Sequence, residues 1–327
     1  MSGIEGWMEK TSVLIIGKYA EIECNIQRYQ SHFVVTQVNN LEEIRQIRKA
    51  ERFKIKGIAF KGHSRFDLRI IKQFPSLEII ANFGVGYDTI SVLDAKKLGV
   101  VVTYTPDVLS DDVADLALAL LFGVSRQLSL GLDWIKSGLW PIRGEMPLNK
   151  RVSGSTCGIV GLGRIGFEIA KRLESFKVKI HYFSRKKKNV SRDWTYYDNP
   201  VDLAKSVETL FVSIIGGPAT HGFISTEVLK ALGPKGILVN ISRGSTIDEK
   251  ALLDALEKKR IFGAGLDVFE NEPNINPRFL QLGNVFMQPH QGSGTRETRQ
   301  AMGDLQFHNI LHYLRSGKAL TLVPEMQ

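Results

Sequence analysis

Several kinds of protein are excluded by what this chain lacks. Only two cysteines, Cys24 and Cys157, occur in 327 residues. They stand far apart and offer neither a disulfide framework nor a zinc-ligand spacing, so no metal site is expected. No apolar run approaches the roughly 20 residues of a membrane-spanning helix, and no membrane partner is expected. The opening residues, Met1 to Trp7, have no basic segment followed by an apolar one, so no secretory signal is expected. With so little cysteine, these absences together suggest a reducing cytoplasm. Low-complexity segments and sequence repeats are missing as well. What remains is a chain 43% hydrophobic, enough for two globular domains rather than one large core.

A formal net charge of +9 points to anionic partners. No helix-turn-helix, zinc-finger or RNA-binding signature accompanies it, so nucleic acid is not expected. A phosphorylated cofactor and a carboxylate substrate fit the charge at least as well.

Short apolar stretches alternate with helical ones throughout. Strands are expected at residues 12–17, His32–Thr36, Lys56–Phe60, Glu78–Ala81 and Val100–Thr103, with helices at Leu41–Arg48 and Ser91–Leu98. Apolar strands separated by helices imply a parallel sheet covered on both faces. A long, mostly apolar helix over Ser110–Arg126, opened by Asp111 and Asp112, suits a buried link between domains. Trp134–Leu148, rich in Gly, Pro and Trp, is expected to be an exposed loop or arm. A second βα series follows, with strands at Thr156–Val160, Lys179–Phe183, Thr209–Ile215, Gly236–Asn240, Ala264–Val268 and Val285–Met287. Helices are expected at Ser225–Leu232, Glu249–Lys258 and Thr295–Ser316, the last crossing back to the first domain.

The run Thr156 to Gly166 places G-x-G-x-x-G directly after an apolar strand and before a helix. In that order Gly161 permits the tight turn, Gly163 lets the backbone approach a pyrophosphate, and Gly166 lets helix and strand pack closely. The helix N-terminus adds N–H groups and a positive dipole end. A dinucleotide site is therefore expected. An NAD unit carries an acid about 20 residues further on, at the end of the second strand. Here that strand ends in Ser184-Arg185-Lys186-Lys187-Lys188, and no carboxylate stands there. Ser184 and Arg185 suit a ribose 2′-phosphate, with Lys186 a weaker candidate, so NADP is favoured over NAD. The bland alternative is a solvated basic loop.

Three later segments combine strand ends with reactive side chains: Leu238–Gly244 with Arg243, Gly265–Pro273 with Asp267, Glu270 and Glu272, and Phe286–Gly292 with His290. An arginine fork can grip a carboxylate, and a histidine oriented by a carboxylate can donate a proton near neutral pH. Singly, each could be a salt-bridge arginine or a satisfied loop histidine. Asn82–Asp88, with two glycines after the fourth strand, is either an anion-binding loop or an ordinary turn.

These motifs, from Asn82-Phe83-Gly84-Val85-Gly86-Tyr87-Asp88 through Thr105–Leu109, Gly158–Gly166, Val239–Asp248 and Ala264–Pro273 to Pro289-His290, resemble the D-isomer-specific 2-hydroxyacid dehydrogenases. Within that family they are most similar to NADPH-dependent glyoxylate/hydroxypyruvate and hydroxyphenylpyruvate reductases. Residues 1–50 match only in general pattern. The resemblance implies two Rossmann-like or flavodoxin-like parallel-sheet domains, a discontinuous substrate domain (1–106 and 293–327) around a cofactor domain (107–292). It implies Arg243, Glu272 and His290 as the catalytic residues, Glu272 rather than Glu270 pairing with His290. Val85 and Gly86 would bind the substrate carboxylate. Gly161, Gly163, Arg164, Ile165, Gly166, Ser184, Arg185, Lys186, Gly217, Ile241 and Asp267 would line the cofactor. It also implies a homodimer with the 110–150 region at its interface.

Two departures stand out: Gln291 with Ser293-Gly294 after the histidine, which bears on pocket shape, and the basic Ser184-Arg185 end. The alternatives are a nucleotide-sensing binding protein resembling the C-terminal-binding corepressors, and phosphoglycerate dehydrogenase. The latter is not expected, because nothing after residue 316 suits its regulatory domain.

Overall fold

A computed structural model describes residues 10–190 and 192–327. The residues considered above for a signal lie outside the described ones. The chain forms two units, Met1–Val108 with Thr295–Gln327, and Leu109–Gly294.

In the first unit the strands are β1 (Ser12–Ile16), β2 (Val34–Val38), β3 (Ile55–Phe60), β4 (Ile79–Asn82) and β5 (Val101–Thr103). All pair in parallel, in the order β2-β1-β3-β4-β5, the flavodoxin-like arrangement. The period of two sends alternate residues to opposite faces. Leu14, Ile16, Ile58, Ile80 and Val102 join one buried cluster, while Val13, Ile15, Ala59 and Ala81 join another, which includes Phe307 and Ile310. Those two residues belong to helix Arg296–Ser316, which brings the end of the chain onto the sheet. Gly57 permits that approach: a Cβ there would lie 3.2 Å from Ile310.

The second unit holds β6 (Thr156–Val160), β7 (Lys179–Phe183), β8 (Thr195–Tyr197), β9 (Thr209–Val212), β10 (Ile237–Asn240), β11 (Gly263–Leu266) and β12 (Val285–Met287). Their order is β12-β11-β10-β9-β6-β7-β8, again parallel throughout. The chain runs outward from β6 to β8 and then returns to β9 on the other side of β6. The strand order reverses there, which is where open α/β sheets bind ligands. Both sheets are thus parallel and the fold is α/β, as the strand pattern implies. Helix Ser110–Ser125 opens this unit and packs closely on β11, where a Cβ on Gly265 would lie 2.9 Å from the Leu120 Cβ. Among the described residues no single helix is long and apolar enough to cross a membrane.

Some expectations are corrected. His32 ends helix Ile26–His32, so the second strand starts only at Val34; the Asn25 side chain caps that helix by accepting from Arg28 N–H. Leu41–Gln46 is a 3₁₀ helix capped by Asn40, and a separate turn of α-helix follows at Lys49–Arg52. The exposed arm contains two helices, Leu128–Lys136 and Leu139–Arg143, with no buried residue in either. The strand expected over Thr209–Ile215 ends at Val212. Strand β8 was not foreseen: it is a three-residue edge strand held by ring contacts of Tyr196 with Tyr182 and Tyr197 with His181.

Candidate active site

The glycine turn follows β6 and meets the end of β9. Gly161 has φ +98°, which a side chain would strain, and a Cβ there would lie 2.8 Å from the Ser213 carbonyl oxygen. At Gly166 an added Cβ would come within 2.2 Å of the Gly161 carbonyl oxygen, so helix Arg164–Glu174 can pack on the turn only without one. Gly163 differs, since a Cβ there would meet nothing within 4 Å. Its flank is therefore open. The helix has Gly163 as N-cap, no side-chain cap and no acidic residue in its first turn, so its positive end is not neutralised. Arg164 and Ile165 open this helix. These residues fit a dinucleotide pyrophosphate.

At the end of β7, Ser184 is buried and its hydroxyl donates to the Lys186 carbonyl at 2.7 Å, while its own carbonyl accepts from Tyr196. Arg185, Lys186, Lys187 and Lys188 are exposed. Ser184 therefore shapes a tight turn that presents a run of cations.

Across the switch point, Ile241 is buried after β10, and Gly217 (φ +133°) follows β9 with open space where a Cβ would stand. Arg243 is half-buried. Its carbonyl accepts from Asn240 Nδ2 (2.9 Å) and Thr246 Oγ1 (2.7 Å), and one guanidinium nitrogen reaches the Ser242 carbonyl at 2.9 Å. Gly244 beside it abuts the peptide joining Phe269 to Glu270, where an added Cβ would lie 1.9 Å from a backbone carbon. The arginine turn and the Glu272 loop are thereby pressed together.

Glu272 uses both oxygens: Oε1 accepts from the Phe269 N–H at 2.8 Å, and Oε2 lies 2.6 Å from His290 Nδ1. Glu270 points elsewhere, its carboxylate 3.9 Å from His221. His290 has φ +55°, a left-handed conformation that costs a residue with a Cβ about 1–2 kcal/mol. Asp267 holds it there. The Asp267 carbonyl accepts from the His290 N–H (2.9 Å), and its carboxylate oxygens accept from Gln291 N–H (2.6 Å) and Gly292 N–H (2.8 Å). Burial raises the pKa of that carboxyl above its ordinary value, against the lowering effect of these bonds.

In the first unit, the loop after β4 is fixed from several sides. Asn82 Nδ2 donates to the carbonyls of Gly84 (3.1 Å) and Gly86 (3.0 Å), and Gly84 N–H donates to Thr105 Oγ1 (2.9 Å). Gly84 has φ +139°. Val85 and Gly86 are half-buried, and among the described residues their N–H groups make no hydrogen bond to protein.

Sequence reasoning did not assign Asn240, Gly244 or the clasp made by Asp267. A fully buried asparagine at the end of an apolar strand was the one available signal, since such a group must be hydrogen-bonded.

A seven-stranded parallel sheet with a glycine turn at its switch point defines a dinucleotide-binding α/β protein. Residues 118–292 match the family model described as D-isomer specific 2-hydroxyacid dehydrogenase, NAD binding domain. The chain is 43% identical over 266 residues to hydroxyphenylpyruvate reductase of Plectranthus scutellarioides, covering 81% of this chain and 84% of that protein. It is 42% identical over 273 residues to glyoxylate/hydroxypyruvate reductase A of Arabidopsis thaliana, covering 83% and 86%. Among solved structures it is similar to an NADPH-dependent glyoxylate/hydroxypyruvate reductase of Sinorhizobium meliloti in complex with NADP and malonate. That match has a TM-score of 0.91 at 40% identity and covers 97% of this chain and 98% of the other. The protein belongs to the D-isomer-specific 2-hydroxyacid dehydrogenase family.

Proposed function

We propose that the protein is an NADPH-dependent reductase of a small 2-oxoacid of the glyoxylate or hydroxypyruvate class, giving the D-2-hydroxyacid. The observation that carries this reading is the 2.6 Å contact between His290 Nδ1 and Glu272 Oε2. A histidine held through Nδ1 by a carboxylate keeps Nε2 for a proton.

NADPH, when bound, supplies a hydride to the keto carbon. His290 gives its Nε2 proton to the developing alkoxide, and Glu272 stabilises the imidazolium form from which that proton comes. Arg243 pairs with the substrate carboxylate and polarises the keto oxygen. Its planar fork suits that task better than a lysine would. In the first unit, the Val85 and Gly86 N–H groups suit a substrate carboxylate as donors.

Gly161, Gly163, Arg164, Ile165 and Gly166 hold the pyrophosphate, while Gly217, Ile241 and Asp267 line the rest of the cofactor. Arg185, with Lys186, would take the 2′-phosphate, on the turn that the Ser184 hydroxyl closes. The preference for NADPH is supported by the cations at the end of β7 and by the relative solved with NADP. Residues 1–106 and 293–327 form the substrate domain and residues 107–292 the cofactor domain. The arm exposes Leu128, Leu132, Ile135, Trp140 and Ile142, an apolar set that supports a homodimer. A cytoplasmic setting suits a chain whose two cysteines are unpaired.

The test is NADPH oxidation against glyoxylate, hydroxypyruvate, hydroxyphenylpyruvate and 2-ketogluconate, repeated with NADH. Absence of turnover on every 2-oxoacid would sink the reading, and a preference for NADH would sink the cofactor assignment alone. A nucleotide-sensing binding protein resembling the C-terminal-binding corepressors would also carry Arg243, Glu272 and His290; the reductases among the relatives and the basic turn after β7 favour the enzyme.

A further inference from the structure

The loop Asn82–Tyr87 is braced by a charged cluster that the reaction does not call for. Glu23 is 7% exposed yet carries a carboxylate. Its Oε2 accepts from the Ala20 N–H at 2.8 Å and from Lys61 Nζ, and Oε1 lies 3.4 Å from Arg299 Nη1. Two cations therefore share one buried acid, leaving the cluster with a net positive charge. Lys61 directly follows β3, Phe83 directly follows β4, and Arg299 is in the first turns of helix Arg296–Ser316.

These groups converge on one ring. Lys61 Nζ lies 5.1 Å from the Phe83 ring centroid and the Arg299 guanidinium carbon 5.8 Å from it. Both are within cation–π reach. Tyr19 meets the ring edge-on at 5.6 Å between centroids, and Tyr19 is fixed in turn by Gln306 Nε2 at 3.1 Å from its hydroxyl. Phe83 is 8% exposed, and its N–H donates to the Phe60 carbonyl at 2.8 Å. Gly303 lets the long helix reach this cluster, since a Cβ there would lie 1.9 Å from the Glu23 carbonyl oxygen. An ordinary turn would need no such framework. Phe83 stands two residues before Val85, so a fixed ring limits how far the segment bearing the following N–H groups can shift.

We propose that Glu23, Lys61 and Arg299 form a positioning clamp on Phe83. The clamp pre-orients the Val85 and Gly86 N–H groups toward an anionic substrate carboxylate and holds the loop at positive potential. Lys61, Arg299 and Glu23 are positioning residues and do not touch substrate. The inference rests on the reading of that loop as a carboxylate site.

Two readouts separate the clamp from that reading. In the protein without added ligands, Lys61→Met and Phe83→Leu should raise amide hydrogen exchange at residues 83 and 84, whose N–H groups are bonded to Phe60 and Thr105, at least tenfold, while Lys61→Arg retains protection. In NADPH-dependent turnover, Lys61→Met should raise KM for the 2-oxoacid about fivefold with kcat changed less than twofold, and Lys61→Arg should restore KM. Unchanged exchange in both Lys61→Met and Phe83→Leu overturns the clamp, whatever the activity. Raised exchange with unchanged KM overturns its role in carboxylate binding. No turnover by the parent protein on any 2-oxoacid overturns the reductase reading instead, and the exchange measurement still decides the clamp.

Discussion

His290 and Glu272, eighteen residues apart in sequence, are joined through Nδ1 and Oε2 at 2.6 Å, with the other Glu272 oxygen tied to the Phe269 N–H. The carboxylate is therefore fixed at both ends before any substrate arrives. Replacing His290 with Ala should lower kcat by about 10²- to 10⁴-fold, the usual worth of a positioned proton donor. Glu272→Gln should forfeit a large part of the same factor, because an amide can still accept from Phe269 N–H but cannot stabilise an imidazolium. Cofactor affinity, measured by NADPH fluorescence titration, should stay within about twofold in both variants, since neither removes a charge-assisted cofactor contact. An unchanged kcat for His290→Ala would remove it from the acid role.

Much of the fold was legible because burial on both faces leaves apolar runs with sharp ends. Lys179–Phe183 and Val285–Met287 lie where the pattern put them. Strand β8 was not legible, since its residues are held by rings on a neighbouring strand rather than by local propensity. The two arm helices were hidden by the Gly, Pro and Trp of that region. In the site, the glycine turn and the reactive residue types could be read directly. The meeting of His290 with Glu272 rested on the resemblance alone, because no local spacing brings β11 and β12 loops together. The clasp of Asp267 on residues 290–292 and the close approach of Gly244 to the Phe269–Glu270 peptide depend on backbone geometry between distant segments.

Arg243 is placed by its backbone: the Asn240 and Thr246 side chains both hold its carbonyl. Arg243→Ala should raise KM for the 2-oxoacid by about 10- to 100-fold, as expected for a charged hydrogen bond worth roughly 1.5–3 kcal/mol. Arg243→Lys should recover only a small part of this, because a point charge cannot reproduce the fork. The NADPH dissociation constant should be nearly unchanged, and selective loss of NADPH binding would contradict the assigned role.

The proposed preference for NADPH rests on the turn after β7. Arg185→Ala should weaken NADPH binding by about tenfold or more while leaving NADH binding nearly constant, because only NADPH offers a 2′-phosphate to pair with. Ser184→Ala should act differently: its hydroxyl closes the turn on the Lys186 carbonyl at 2.7 Å, so its loss should loosen residues 185–188 as well. Equal weakening of both cofactors by Arg185→Ala would mean that this cation steers all anions rather than reading the phosphate.

The two cysteines predict a pH-dependent stability. Burial pushes the Cys24 thiol up to about 11 and the Cys157 thiol up to about 12. Below roughly pH 8.5 the thiols are protonated in both folded and unfolded chains and cost nothing. As pH rises from there towards 11 and 12 the unfolded chain ionises and the native one does not, so stability falls. Denaturant midpoints measured between pH 8 and 11 should therefore decline less steeply in Cys157→Ala than in the parent protein. A thiol reagent at pH 8 should leave native Cys157 unmodified and titrate both cysteines after unfolding. Rapid reaction of Cys157 in the native protein would contradict its complete burial.

Gly163 and Gly166 should separate binding from folding. At Gly166 a Cβ would lie 2.2 Å from the Gly161 carbonyl oxygen and 2.8 Å from Ser213 Oγ, so Gly166→Ala must push the helix off the strand. Overpacking of this kind costs about 1–3 kcal/mol, which should appear as a lowered denaturant midpoint along with weakened cofactor binding. Gly163 has φ −86°, which alanine adopts without strain, and a Cβ there meets no protein atom within 4 Å. Gly163→Ala should leave the midpoint nearly unchanged yet weaken NADPH and NADH alike, because the methyl group would occupy the open flank proposed for the pyrophosphate. Full retention of cofactor affinity in Gly163→Ala would place the phosphates elsewhere, and an undisturbed midpoint in Gly166→Ala would mean that the helix can shift at no cost.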